Sequence, residues 1–262
     1  MNETIESALA GLYEPAPATL LDRVTAELGL VDVYLTVDSP AGPLWVAFNK
    51  SGVSFLDAVA HQGEDAFRRA FAARYPGRAL RPADTTTTPP TGLTNALSGN
   101  RATLRYDLRT CSPFQQAVLA KTSEIPRGEV RSYGWIAREI GHDGATRAVG
   151  TALGRNPVPV LIPCHRVVRT DGKIGNYALG SAMKTRLLQL EGVDLDELSD
   201  LAQAGRRYVG SATTNIFCVP TCHHARRIQP HNRVLFRTER EAADKGFRPC
   251  QTCRPAPALS TT

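Results

Sequence analysis

From Val31 onward apolar residues recur at every second position: Val33, Leu35 and Val37, then Leu44, Val46 and Phe48. Pro40-Ala41-Gly42-Pro43 separates the two runs, so the pattern predicts a β-hairpin. The period then lengthens, and residues 63–75 read as a helix with Phe67, Ala70 and Phe71 inward. Upstream, Leu20, Leu21, Val24, Leu28 and Leu30 have a loosely helical spacing, and residues 1–30 are expected to form a short helical extension. Residues 82–91, with four consecutive threonines and Pro89-Pro90, read as a loop. Residues 93–97 follow as a short helix, and the alternation of Leu104, Tyr106 and Leu108 predicts a strand.

The second half is mostly helical in period. Ser112 is a natural N-cap with Pro113 at the first helical position, and Phe114, Val118 and Leu119 give the inner face. Pro126-Arg127-Gly128 is a turn, 133–140 a helix, 141–144 a second turn, and 145–155 another helix. Two short helices joined by a glycine-containing turn resemble a helix-turn-helix. Stepping 100° per residue along the second puts Val149 and Leu153 on one side, and Arg147, Thr151 and Arg155 opposite, beside Ala148. A face of small residues and cations suits a nucleic-acid backbone; an ordinary helical hairpin fits the same pattern. A last helix is predicted over 181–191, with Met183, Leu187, Leu188 and Leu190 apolar, and the acidic stretch 194–200 is expected to separate it from the C-terminal segment.

Bulk properties narrow the class. The chain has 262 residues, 42% hydrophobic and 21% charged, enough for two or three soluble domains. No apolar run approaches the roughly 20 residues of a membrane helix. The first thirty residues carry Glu3, Glu6 and Glu14 and lack a basic start with an apolar core, so no secretory signal is expected and the reading is cytoplasmic. The net charge of +6 is unevenly placed: residues 205–255 hold nine Arg and one Lys against two Glu and one Asp. A basic tail this dense favours a polyanionic partner, of which phosphate backbone is the usual one.

Six cysteines carry the candidate chemistry. Cys218-x3-Cys222 and Cys250-x2-Cys253 have ligand spacing for tetrahedral zinc, and four thiolates make one complete structural set. A module of some fifty residues also has too small a core to be secure without a staple. His223, His224 and His231 read as surface residues. Cys164 stands apart, inside the apolar run 158–168 with His165 after it. Burial alone makes a thiol inert, so reactivity needs a base; His165 is the candidate, with Glu191 to orient it. From the dipeptide alone, a structural cysteine and a nucleophile both remain open.

The string Ile162-Pro163-Cys164-His165-Arg166-Val167 resembles the active-site signature of the O6-alkylguanine-DNA alkyltransferases. Agreement extends over about a hundred residues: 126–137 with Ser132-Tyr133, Arg147-Ala148-Val149-Gly150, Asn156-Pro157, Gly175-Asn176-Tyr177, Lys184, Leu187, Leu188 and Glu191-Gly192. The resemblance implies that Cys164 accepts the alkyl group irreversibly, that His165 takes the thiol proton through a water, and that Glu191 holds His165. It implies further that Tyr133 donates to N3 of the departing guanine and that Asn156 braces the loop. Arg147 would enter the base stack when the nucleotide flips out, with Ala148, Thr151 and Arg155 along the DNA. Tyr177 and Leu179 would line the base pocket. Many relatives carry smaller residues where Leu179 stands, so the pocket is expected to favour methyl over benzyl-sized groups.

The tail resembles the Ada-type metal-binding domain through 214–222, 232–236, 246–250 and Cys253-Arg254-Pro255. That resemblance implies zinc on Cys218, Cys222, Cys250 and Cys253, with Cys218 also a methyl acceptor for methylphosphotriesters. Methylating Cys218 would remove one negative charge and raise affinity for DNA. The module follows the alkyltransferase here, where the family places it first, and no stretch matches the family's separate gene-activating helices.

The expected architecture is α+β and multidomain. It comprises the extension 1–30, a small RNase-H-like α/β domain over 31–105, a helical catalytic domain with the helix-turn-helix over 106–195, and a zinc domain over 205–258. The expected partner is double-stranded DNA containing O6-alkylguanine, the expected state a monomer with no membrane contact. Two other readings stay open on the sequence: a DNA-binding regulator that senses alkylation at Cys218, and a cysteine hydrolase using Cys164 and His165.

Overall fold

A computed structural model describes residues 20, 24–25, 27–99 and 103–255. Most of the expected extension 1–30 lies outside these; Leu20, Val24, Leu28 and Leu30 are described and exposed.

The hairpin forms β1 (Val31–Val37) and β2 (Leu44–Asn49), antiparallel with Val33 opposite Phe48 and Val37 opposite Leu44. A third strand, β3 (Gly52–Ala58), pairs antiparallel with β2, and α1 (Glu64–Arg74) carries the chain across to β4 (Ala79–Pro82), parallel to β1. The sheet order is β3-β2-β1-β4. One face is covered by Phe67, Phe71 and Tyr75, which pack with Tyr34 and Ala47. The other face does not end a domain: Leu44, Val46, Val53 and Leu56 share one core with Val158, Leu161, Ile162 and Leu187.

Strand β3 escapes the sequence pattern because six of its seven residues are buried, so it shows no alternation. The strand expected over 104–108 reduces to a single bridge, Tyr106 to Val53. Backbone there comes so close that a Cβ on Gly52 would lie 2.3 Å from the Arg105 carbonyl oxygen. The Asp107 backbone N–H donates to the Val53 carbonyl at 2.8 Å to close that bridge, and its carboxylate accepts from Asn49 and Arg109.

After the short helix α2 (Leu93–Leu97), α3 (Pro113–Ser123) starts as expected, with Ser112 accepting from the Gln115 amide at 3.2 Å. The pair β5 (Arg131–Ser132) and β6 (Val167–Val168) is parallel and frames the loop containing Cys164. Ser132 caps α4 (Tyr133–Glu139), and α5 (Thr146–Gly154) follows after a short turn.

Helix α6 (Ser181–Leu190) buries Lys184, Leu187 and Leu188. Leu190, one of the apolar positions read for this helix, is exposed, because the buried face runs through Lys184, Leu187 and Leu188. The acidic stretch is no spacer: it forms α7 (Leu195–Gln203), capped by Asp194, and buries Leu198 and Leu201. Leu198 packs with Val130, Val168, Leu188 and Val193.

The last unit is a four-stranded sheet in the order β10-β8-β7-β9, from β7 (Tyr208–Ser211), β8 (Ile216–Cys218), β9 (Arg233–Phe236) and β10 (Arg248–Pro249), with helix α8 (Glu239–Asp244). Its core is small: Phe217, Phe236, Ala242 and Phe247. Packing there is tight enough that a Cβ on Gly210 would meet the rings of Phe236 and Phe247 at 2.6 and 2.7 Å.

Candidate active site and metal centre

Cys164 opens a 3-10 turn, Cys164–Arg166, that leads straight into β6. Just before it Val160, buried and β-branched, holds a positive φ of 72°, a conformation such residues rarely adopt. Asn156 secures this loop. Its oxygen accepts from the Val158 amide at 3.1 Å, and its nitrogen donates to the Ile162 carbonyl at 3.0 Å and to Cys164 Sγ at 3.1 Å. Burial pushes the Cys164 thiol up, while the Asn156 hydrogen bond and the charge of Lys184 act against that rise.

His165 is buried, with Nε2 3.0 Å from Glu191 Oε1. Glu191, at the C-cap of α6, also receives Arg166 Nε at 2.8 Å and Nη2 at 2.7 Å. Burial alone would raise the Glu191 carboxyl; the bonds from His165 and Arg166 outweigh it and hold the group well below the usual carboxylate range. Arg166 is fully sequestered and donates its remaining Nη1 to the Ile125 carbonyl at 2.6 Å.

Lys184 is likewise buried and donates Nζ to the carbonyls of Val167 and Ile174, each at 2.6 Å. Burial lowers it to about 8. Sequence alone assigns no role to Arg166 or Lys184. The available signal was their charge within apolar runs, where an unpaired charge is too costly to keep.

Two tyrosines complete the surroundings. Tyr177 is half-buried with its ring edge-on to His165 at 6.2 Å, and desolvation of its phenol next to Cys164 raises it well above the ordinary value. Tyr133, first residue of α4, is half-buried; burial and the neighbouring Cys164 raise its phenol too, so it stays a proton-bearing donor at neutral pH. Leu179 is buried in the core cluster that includes Cys164, with Tyr133, Tyr177 and Met183 packed against it.

Helix α5 passes close by: a Cβ on Gly150 would lie 3.9 Å from the Tyr133 ring. Its inner face is Val149, Ala152 and Leu153, and Arg147, Ala148, Thr151 and Arg155 are all exposed. The fold therefore gathers Cys164, His165, Asn156, Tyr177 and Glu191, with Tyr133 at the edge, while the four α5 and C-cap residues stand outside as a surface.

Pairing of β8 with β10 brings Phe217 opposite Pro249, and with them the following residues Cys218 and Cys250. The sulfurs of Cys218, Cys222, Cys250 and Cys253 all lie within 4.8 Å of one another, buried and free of disulfides. Four sulfur donors without an ion must share protons: bonds from the other three push Cys218 up, and the bond to Cys218 brings Cys222 down to about 7. A thiophilic divalent cation relieves that conflict, and the donor set fits zinc. Beside Cys218 an open cleft of about 480 Å³ is lined by Thr213, Thr214, Arg227, Asn232 and Arg248. His223 and His224 lie outside the four-sulfur set, both exposed, with rings 3.9 Å apart. Among the described residues no helix is long and apolar enough to cross a membrane.

Two protein families match the chain. The one described as "6-O-methylguanine DNA methyltransferase, DNA binding domain" covers residues 113–193, and "Metal binding domain of Ada" covers 198–256. A methylated-DNA–protein-cysteine methyltransferase of Mycobacterium tuberculosis (strain ATCC 25618 / H37Rv) is 38% identical over 168 residues, 60% of this chain and 91% of the relative. One from Methanosarcina barkeri is 35% identical over 172 residues, 60% of this chain and 96% of the relative. Among solved structures, a variant of the M. tuberculosis O6-methylguanine methyltransferase superposes with a TM-score of 0.50 at 34% identity, over 63% of this chain and 98% of that one.

Proposed function

The chain belongs to the methylated-DNA–protein-cysteine methyltransferase family, and on that premise we propose that Cys164 is the sulfur that takes the alkyl group from O6-alkylguanine in DNA. The observations that carry this assignment are the Asn156 amide on the Cys164 sulfur and the Glu191 carboxylate on His165, the next residue along the chain.

The step is an in-line displacement. The Cys164 proton passes through a water to His165, whose imidazolium the Glu191 carboxylate stabilises. The thiolate attacks the alkyl carbon, the carbon–O6 bond breaks as the sulfur–carbon bond forms, and the electron pair stays on guanine. Tyr133 supplies a proton at N3, so guanine leaves neutral. Asn156 lowers the cost of the thiolate and fixes the loop. Arg147 fills the stack behind the flipped nucleotide while Ala148, Thr151 and Arg155 follow the backbone. A thioether has no second step to release it, so one molecule repairs one lesion. Tyr177 and Leu179 bound the pocket for the base.

The basic metal module adds a second contact with DNA. Its four cysteines hold one zinc ion when loaded, which keeps the sulfurs ionised and electron-rich. We assign Cys218, which lines a cleft with Arg227 and Arg248, as the sulfur that takes a methyl group from a methylphosphotriester. The regulator alternative gains no separate support from the fold.

We read residues 31–105 as the RNase-H-like domain, 106–195 as the catalytic domain and 205–258 as the zinc domain, acting as a monomer. The antiparallel β1–β3 meander extended by the parallel strand β4 supports the first of these. We read the protein as cytoplasmic, because a reactive Cys164 and four zinc-binding thiolates call for a reducing compartment.

Intact mass after mixing with O6-methylguanine duplex tests the acceptor: a gain of about 14 Da, one methylene, on the peptide containing Cys164, absent in Cys164→Ser. Transfer that persists in that variant rejects the assignment. The same measurement with methylphosphotriester DNA tests Cys218.

A further inference from the structure

The zinc module grips the catalytic half at two places, and Tyr133 lies between them. The first grip is at the start of β5. Val130 donates its backbone N–H to Thr221 Oγ1 at 2.9 Å, with both residues buried. Beside it the buried Glu129 carboxylate accepts from the His223 backbone N–H at 3.0 Å and from Arg131 Nη2 at 2.6 Å.

The second grip is on α4. The Trp135 indole N–H donates to the carbonyls of Cys253 and Arg254, each at 3.0 Å. Arg138 Nη2 reaches the Arg254 carbonyl at 2.6 Å, and Arg254 returns an ion pair to Glu139 at 2.7 Å. Arg254 holds a positive φ of 44°, a conformation unusual for a side-chain-bearing residue and secured here by these bonds.

Thr221 and His223 are the two neighbours of Cys222, and Cys253 is itself one of the four sulfurs. Each grip is thus within one residue of a ligand. Between them run only Arg131, Ser132, Tyr133 and Gly134. Ser132 caps α4, and Arg131–Ser132 pairs with the strand that leaves the Cys164–Arg166 turn.

We infer that the zinc module is a positioning part of the guanine site, with Thr221, Glu129 and Trp135 transmitting the loaded state of the four-cysteine cluster to β5, Tyr133 and α4. None of the three touches the reacting sulfur; they are positioning residues. When the cluster opens, the Val130 amide and the Glu129 carboxylate lose partners inside a buried seam, and unsatisfied buried groups are costly enough to loosen it. The inference rests on the roles given above to Cys164 and Tyr133.

The test uses the full zinc-loaded chain. Thr221→Val removes the hydroxyl and keeps the shape, whereas Thr221→Ser keeps the hydroxyl. Amide hydrogen exchange over residues 129–139 and the first-order transfer rate at saturating O6-methylguanine duplex are read together, with zinc content checked. In Thr221→Val, exchange in this segment rises and transfer slows, each by about fivefold to tenfold, the loss of one hydrogen bond. Affinity for DNA stays native, and Thr221→Ser restores both. Stripping the zinc with a chelator raises exchange over the same residues. If Thr221→Val fails to fold, Trp135→Phe, which removes the other grip's N–H, takes its place with the same expectation. Native exchange after zinc removal, or a native transfer rate in the folded zinc-loaded variant, overturns the proposal. A native chain that never methylates Cys164 would instead reject the acceptor assignment, while the exchange measurement still decides the coupling.

Discussion

The amide nitrogen of Asn156 donates to the sulfur of Cys164 at 3.1 Å, and the same side chain holds the loop through Val158 and Ile162. Burial raises that thiol and the Asn156 bond opposes the rise. Asn156→Ala is therefore expected to move the thiol's pKa further up. The pH–rate profile for transfer should shift to higher pH by about one unit, with the neutral-pH rate down about tenfold. An unshifted profile would show that the amide only braces the loop.

Glu191 anchors both His165 and Arg166, and its carboxyl is held well below the ordinary 4.5 in the folded chain. A group depressed on folding contributes stability above its unfolded value and loses it as pH falls through the folded one. Acid should thus begin to destabilise the catalytic half below about pH 4.5, and Glu191→Gln should flatten that limb. At neutral pH the same substitution leaves Arg166 buried without its partner and should cost about 3 kcal/mol. Denaturant melts across pH measure both.

Arg147 is exposed on α5. Arg147→Ala should change stability by less than about 0.5 kcal/mol. Transfer from duplex DNA should slow by about tenfold or more because extruding the base becomes harder, while reaction with the free base O6-benzylguanine should not change. Equal slowing on both substrates would argue against a role in flipping.

Leu179 is buried in the core cluster that also contains Cys164. Leu179→Ala should cost about 2–4 kcal/mol of stability and raise reactivity toward O6-benzylguanine by about tenfold relative to O6-methylguanine. An unchanged ratio would place Leu179 in plain packing.

Elemental analysis should find one zinc per chain, lost in Cys250→Ala. Methylation of Cys218 should then tighten DNA binding in a salt-dependent way, since the basic module loses one negative charge. Binding that ignores Cys218 methylation at low salt would remove the electrostatic argument.

Much of this was legible locally. The alternation of β1 and β2, the Ser112-Pro113 helix start and the paired cysteines are near-neighbour patterns, and each needs only its own residues to be read. Strand β3 was not, because burial on both faces erases period two. The strand expected over 104–108 is only the Tyr106–Val53 bridge, and Leu190 is exposed while Lys184, Leu187 and Leu188 take the inner face. Arg166 and Lys184 read as ordinary basic residues until the carboxylate and carbonyls that receive them, some 10 to 41 residues away, were brought near.

The residue types and spacing in the chain specify what chemistry is on offer: a cysteine with a base beside it, a cationic helix face, and four sulfurs in two pairs. Folding decides how those parts are coupled. Whether the sulfur is met by an amide, which carboxylate holds the histidine, and that the acidic stretch becomes a helix in the seam are set by contacts between distant segments. The reason is that desolvation and hydrogen bonding depend on what fills the space around a group, and the sequence order does not record those neighbours.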